Sequence, residues 1–175
     1  GPVLVVGGAG YIGSHTVRHF EERGVPVVVL DNLSTGHRVA VRSPLEVVDL
    51  ADRERLADVF ARVKPAGVVH FAAKCYVGES VTDPAKYYRE NVVNTWNLLE
   101  AMRHSATRAI VFSSTCATYG NRVRLPLTED HPQVPISPYG KTKLHIEHML
   151  QDYSVAYGFH IAGLRYFNAA GAARD

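Results

Sequence analysis

Two kinds of hydrophobic pattern alternate along the chain. Short, nearly unbroken apolar runs occupy residues 3–7 (VLVVG), 25–31 (VPVVVLD), 45–50 (LEVVDL), 67–73 (GVVHFAA), 108–114 (RAIVFSS) and 159–167 (FHIAGLRYF). They are rich in β-branched residues and do not alternate with polar ones, as strands buried on both faces of a parallel sheet require. Between them, residues 11–23, 52–63, 83–104 and 138–157 predict helices. Asp83-Pro84 and Ser137-Pro138 each place a capping side chain before a proline at the first helical position, while Gly24 and Gly158 stand where helices stop.

Strand and helix in alternation predict an α/β fold, a Rossmann-type doubly wound parallel sheet of about six strands with helices on both faces, in one domain. Residues 32–44 read as irregular. Pro126, Pro132, Pro135 and Pro138 mark 124–138 as a long loop.

Composition narrows the function. The 175 residues carry a formal charge of +2 and 21% charged residues, with Lys and Arg scattered, which argues against nucleic acid as a partner. No apolar run reaches the roughly 20 residues of a membrane span. The two cysteines, Cys75 and Cys116, match no zinc spacing and predict free thiols in a cytoplasmic protein. Gly1-Pro2, with no initiator Met, reads as a processing scar. His15 with His19 lack a third ligand, and His145 with His148, which flank Glu147, read as a solvated or interface face, so no metal is expected.

The first apolar run leads into VVGGAGYIGSH (5–15), with glycines at Gly7, Gly8, Gly10 and Gly13. Between a strand and a helix, such glycines let backbone N–H groups approach a pyrophosphate, and the last one lets the helix pack against the strand. Asp31 ends the second run, where a carboxylate accepts from an adenosine ribose diol and repels a 2′-phosphate, selecting NAD over NADP. Asp49 follows the third run; it could meet an adenine amino group with Leu50 beside the ring, but taken alone it reads as a cap for helix 52–63. His70 reads as a core histidine, and Ala72 and Ala73 after it are small enough for a cofactor to lie on the backbone.

Tyr139 and Lys143 are spaced i and i+4 on one helix face. A phenol with pKa near ~10 is a poor base at neutral pH, and a neighbouring ammonium and nicotinamide cation would favour its phenolate. Ser113-Ser114-Thr115 ends the fifth strand, so a hydroxyl, a phenol and an ammonium converge on the carboxyl edge of the sheet.

Taken together, GGAGYIGSH, DNLSTG, HFAA with VGES, FSSTCATYG, SPYGKTK and LRYFNAAGA resemble the extended short-chain dehydrogenase/reductases, and among them the UDP-hexose 4-epimerases, over residues 3–172. The resemblance implies a resident NAD and interconversion of UDP-galactose and UDP-glucose through a 4-keto sugar. Tyr139 would be the base and Thr115 would bond the same sugar oxygen. Lys143 would bind the nicotinamide ribose, and Asn168 would reach the substrate diphosphate. Cofactor contacts carried over are Tyr11 and Ile12, then Asn32, Leu33, Ser34, Thr35 and Gly36 after Asp31, with Asp49 and Leu50. Further along come Phe71, Ala72, Ala73 and Lys74, then Asn91, Ser113 and Tyr166. Related dehydratases carry carboxylates directly after the Ser/Thr; here Cys116-Ala117-Thr118 offers none, so elimination lacks its acid and base. Cys75 stands where many relatives have a lysine, with Lys74 one position earlier.

The resemblance also implies a homodimer through helices 83–104 and 138–157, with Tyr87, Tyr88, Trp96 and Leu99 as apolar surface. A C-terminal lobe gripping the uridine nucleotide belongs to such enzymes and lies outside these residues. The alternative reading is therefore a truncated, non-catalytic NAD-binding module.

Overall fold

A computed structural model describes residues 1–121 and 124–173. Strands β1 (Val3–Val6), β2 (Val27–Asp31), β3 (Leu45–Val47), β4 (Gly67–His70), β5 (Ala109–Thr115) and β6 (His160–Tyr166) form one sheet ordered β3-β2-β1-β4-β5-β6. Every neighbouring pair is parallel. The chain winds outward from β1 to β3, then returns to β4 on the other side of β1. That reversal opens a crevice beyond the carboxyl ends of β1 and β4, the place where such sheets take ligands.

The helices are α1 (Tyr11–Glu22), α2 (Arg53–Val63), α3 (Val77–Thr82), α4 (Pro84–Tyr87), α5 (Asn94–Arg103) and α6 (Pro138–Tyr157). On one face of the sheet, Leu4, Leu30 and Phe112 pack with Leu56 and Phe60 of α2, Leu98 and Leu99 of α5, and Ile146 and Leu150 of α6. On the other, Val5, Val29 and Val69 meet Val17 and Phe20 of α1. The sheet is thus covered on both faces, but unevenly, and His160 to Leu164 of β6 are all exposed.

The expected stop and start signals operate as read. Asp83 accepts from Lys86 N at 3.1 Å and Ser137 from Gly140 N at 3.1 Å. Gly24 and Gly158 take positive φ values of 68° and 69° after α1 and α6. Several boundaries differ. The runs expected to extend through 45–50 and 67–73 leave the sheet after Val47 and His70, because their partner strands β2 and β1 end at Asp31 and Val6, the residues paired with Val47 and His70. The helix expected over 83–104 is α4, a π-helical turn at Tyr88–Val93, and α5. A short α3 precedes it, separated by the Asp83 cap. Asp52, not Asp49, caps α2, accepting from Arg55 N at 3.1 Å.

Two of the four residues expected to form an apolar surface are inside the core: Tyr87 and Leu99 are both fully buried. Tyr87 can be buried because its hydroxyl donates to Glu79 at 2.7 Å and also bonds the Tyr76 backbone. Tyr88 and Trp96 are exposed, the latter beneath Arg53. Among the described residues no helix is long and apolar enough to cross a membrane, and no cluster of His, Cys, Asp and Glu is arranged to hold a metal ion. Cys75 and Cys116 are free thiols.

Candidate active site

Backbone geometry makes the glycine loop. Gly7 sits at φ 80°, and a Cβ there would lie 2.5 Å from the Ala72 nitrogen. A Cβ on Gly13 would lie 2.2 Å from the Gly7 carbonyl oxygen, so only glycine lets α1 start this close to β1. Helix α1 has no side-chain cap and no acidic residue in its first turn. Its leading N–H groups and its dipole are therefore left for an external anion.

Asp31 braces this loop. Its carboxylate accepts from Ala9 N at 2.9 Å and from Leu33 N at 2.8 Å, the latter holding Leu33 at φ 58°. Asn32 donates to Asp49 at 2.7 Å and its carbonyl oxygen accepts from Ser34 N at 3.0 Å, which joins the ends of β2 and β3.

A cavity of about 430 Å³ runs across the carboxyl edge. One end is lined by Gly7, Gly10, Tyr11, Ile12 and Gly13, with Asp31, Asn32, Ser34, Thr35 and Gly36, and then Asp49 and Leu50. Phe71, Ala72, Ala73 and Lys74 line the cavity too, as do Ser113, Thr115, Tyr139, Lys143 and Tyr166. Three expected contacts are placed elsewhere. Leu33 is in the turn braced by Asp31. Asn91 is fully buried, its amide accepting from Lys74 N at 2.8 Å and donating to Lys74 O at 3.0 Å and Thr142 at 3.2 Å. Asn168 lines a neighbouring groove with His15 and His19, where the Tyr11 hydroxyl donates to Gly171 O at 2.6 Å. Glu90, Asn94, Cys75 and Ser114 line the main cavity without having been singled out as contacts. Glu90 and Asn94 are turned there by the π-helical segment, which no residue spacing in 83–104 announces.

Tyr139 enters from the first turn of α6. Its backbone N–H donates to Ser80 Oγ at 3.1 Å, and its ring meets Tyr87 edge-on at 6.5 Å. A Cβ on Gly140 would lie 2.6 Å from the Ala117 carbonyl oxygen, so α6 presses directly on the turn after Thr115. Burial pushes the Tyr139 phenol above its ordinary range, and a hydrogen bond with Thr115 works against that rise. The expected lowering by Lys143 is not built into the protein alone. The ammonium instead donates to Ser113 O at 2.8 Å and lies 4.8 Å over the Phe112 ring. Lys143 is only 3% exposed, and burial lowers it to about 8. His70 is a buried core residue bonded to Thr95 at 2.9 Å; burial, with the nearby Lys143 charge, lowers it to about 3 and keeps it neutral. Among the described residues its Nδ1 has no hydrogen-bond partner.

Fold and cavity define a dinucleotide-binding α/β domain whose cavity is also lined by a hydroxyl, a phenol and an ammonium. The chain belongs to the NAD dependent epimerase/dehydratase family, whose sequence model matches residues 3–175. It is 54% identical to a UDP-glucose 4-epimerase of Rhizobium leguminosarum bv. trifolii over 97% of this chain and 52% of that protein. It superposes with TM-score 0.97 on the UDP-glucose 4-epimerase of Brucella ovis, solved in complex with NAD, at 55% identity over 98% of this chain and 53% of that one. The Thermotoga maritima UDP-glucose 4-epimerase, solved with UDP-glucose, matches at TM-score 0.91 and 35% identity, over 95% of this chain and 55% of that one. The chain spans about half the length of the curated relatives it matches.

Proposed function

We propose that the protein carrying this chain is a 4-epimerase of UDP-hexoses, interconverting UDP-galactose and UDP-glucose on a resident NAD. One observation carries the reading: a single cavity is lined both by the glycine loop with Asp31 and by Thr115, Tyr139 and Lys143. A pure binding module has no chemical need for the second group.

The residues present fit the cofactor. Backbone fills the space that Cβ atoms on Gly7 and Gly13 would need, and Asp31 is held at the end of β2 for a ribose diol. Asp49 and Leu50 would meet the adenine, and Ser113 and Tyr166 the nicotinamide half. When bound, NAD supplies reversible two-electron oxidation at the sugar C4. The protein supplies the proton chemistry. Thr115 bonds the 4-oxygen, and Tyr139, as phenolate, takes the 4-hydroxyl proton and later returns it. Lys143 is the fixed positive charge beneath them and the group that would hold the nicotinamide ribose. The absence of carboxylates at Cys116-Ala117-Thr118 spares the 4-keto sugar from elimination.

A homodimer is part of the proposal, with exposed Tyr88, Val93 and Trp96 on one helical face. Two free thiols favour the cytoplasm.

The test is to mix the purified protein with UDP-galactose, adding no nicotinamide, and follow the anomeric protons by NMR. Appearance of UDP-glucose is expected. No conversion, with NAD still released on denaturation, would favour the non-catalytic NAD-binding module.

A further inference from the structure

Glu147 lies one turn beyond Lys143 and two beyond Tyr139, on the buried stripe of α6. Its side chain is 8% exposed and takes no part in the chemistry above. Yet it accepts four hydrogen bonds from three side chains. Arg165 donates to it twice, Nε to Oε1 at 3.1 Å and Nη2 to Oε2 at 2.7 Å. Gln133 Nε2 donates to Oε2 at 3.0 Å, and the Ser114 hydroxyl donates to Oε1. Arg165 continues the chain of contacts, donating to the Tyr119 hydroxyl at 2.8 Å and stacking over that ring at 5.0 Å.

The four donors come from three elements. Ser114 lies between Ser113, the acceptor of the Lys143 ammonium, and Thr115. Arg165 is the register partner of Ser114, one residue before Tyr166, itself paired with Thr115. Gln133 belongs to the loop that leads into α6. One carboxylate therefore ties the ends of β5 and β6 to the helix that presents the phenol and the ammonium.

We infer that Glu147 is a positioning residue: through Ser114 and Arg165 it fixes the distance between the Thr115 hydroxyl and the Tyr139 phenol. The carboxylate stays charged to do so. Burial alone would raise it, but the bonds from Arg165, Ser114 and Gln133 outweigh burial and hold it below the usual carboxylate range. A buried ion pair is weak evidence for added stability, because desolvation cancels much of its attraction. Geometry is the better account here, since the bond to Ser114 is not needed to neutralise either charge.

The inference rests on the epimerase reading, and two variants test it in the purified protein with its bound dinucleotide. Glu147→Gln keeps the shape and removes the charge. Ser114→Ala keeps the Arg165 pair intact and cuts only the link to β5, so it decides the matter if Glu147→Gln does not fold. Both are expected to lower kcat about 10- to 100-fold, the scale of a misplacement near 1 Å, while KM stays within about twofold and bound NAD is retained. A lower melting temperature with kcat per folded molecule unchanged, or Ser114→Ala turning over like wild type, overturns it. Should wild type convert no UDP-hexose, the function reading fails, and hydrogen exchange decides this one. Faster exchange confined to amides 113–119 in both variants supports the clamp; unchanged or uniformly altered protection overturns it.

Discussion

Lys143 donates its ammonium to the carbonyl of Ser113 at 2.8 Å, so α6 is pinned to the end of β5 by a charge held out of water. Lowering an ammonium from 10.5 to about 8 disfavours its charged form by roughly 3 kcal/mol in the folded chain. The penalty is complete below pH 8 and is relieved as pH rises from about 8 to 10.5, where the unfolded chain binds the extra proton. Lys143→Met is therefore expected to abolish turnover and raise the melting temperature at pH 7, with the gain shrinking at pH 10. Thermal melts at both values check it; a lower midpoint at pH 7 would mean the Ser113 bond outweighs burial.

Gly13 has no room for a methyl group, with the Gly7 carbonyl oxygen 2.2 Å from a Cβ position. Gly13→Ala should cost about 3 kcal/mol by forcing α1 away from the loop. Because the same shift opens the anion site, the stabilisation that added NAD gives wild type should also fall. Denaturant unfolding with and without NAD measures both effects.

Asp31 spends one oxygen on Ala9 N and the other on Leu33 N, so it shapes the loop as well as lining the cavity. Asp31→Ser should weaken NAD binding by about tenfold or more, the worth of one hydrogen bond to a charged group, and narrow the preference over NADP. Titration of the cofactor-stripped protein with each dinucleotide decides it; an unchanged ratio would remove Asp31 from the selection.

Acid should loosen the outer face. Arg103 bonds hold the Glu100 carboxyl down to about 2, helped by the Tyr153 hydroxyl at 2.6 Å. A depressed carboxylate contributes stability that is complete above its unfolded pKa and lost as pH falls from 4.5 toward 2. Glu100→Gln should flatten that part of the stability curve, read by urea unfolding across pH 2 to ~5.

Trp96→Glu places a charge on the proposed dimer face while leaving the core untouched, since Trp96 is 39% exposed. Light scattering should report a dimer for wild type and a monomer for the variant. A monomeric wild type removes the dimer from the proposal.

The strands were legible because burial on both faces leaves an unbroken apolar run, which needs no knowledge of the partner strand. Helix α6 was legible for a different reason. Its buried stripe includes Gly140, Thr142, Lys143 and Glu147, so hydrophobic periodicity says little, and the Ser137-Pro138 start and Gly158 stop define it instead. The burial of Tyr87 and Leu99 is not legible in the sequence, because an apolar side chain on a helix does not say which neighbour covers it. The bonding of Glu147 has no local signal either, since its partners Ser114, Gln133 and Arg165 meet it only after the sheet has formed.

The π-helical turn at Tyr88–Val93 has its own consequence. A turn of this kind accommodates one surplus residue within an otherwise α-helical rod, and the rod's inner side keeps its heading before and after. Within it, Asn91 is the residue that grips both the Lys74 backbone and Thr142. A lineage losing one codon here would regain an ordinary helix and forfeit this grip, together with the turn that brings Glu90 and Asn94 to the cavity. The helical scaffold and the residues this turn brings to the cavity are therefore separately heritable.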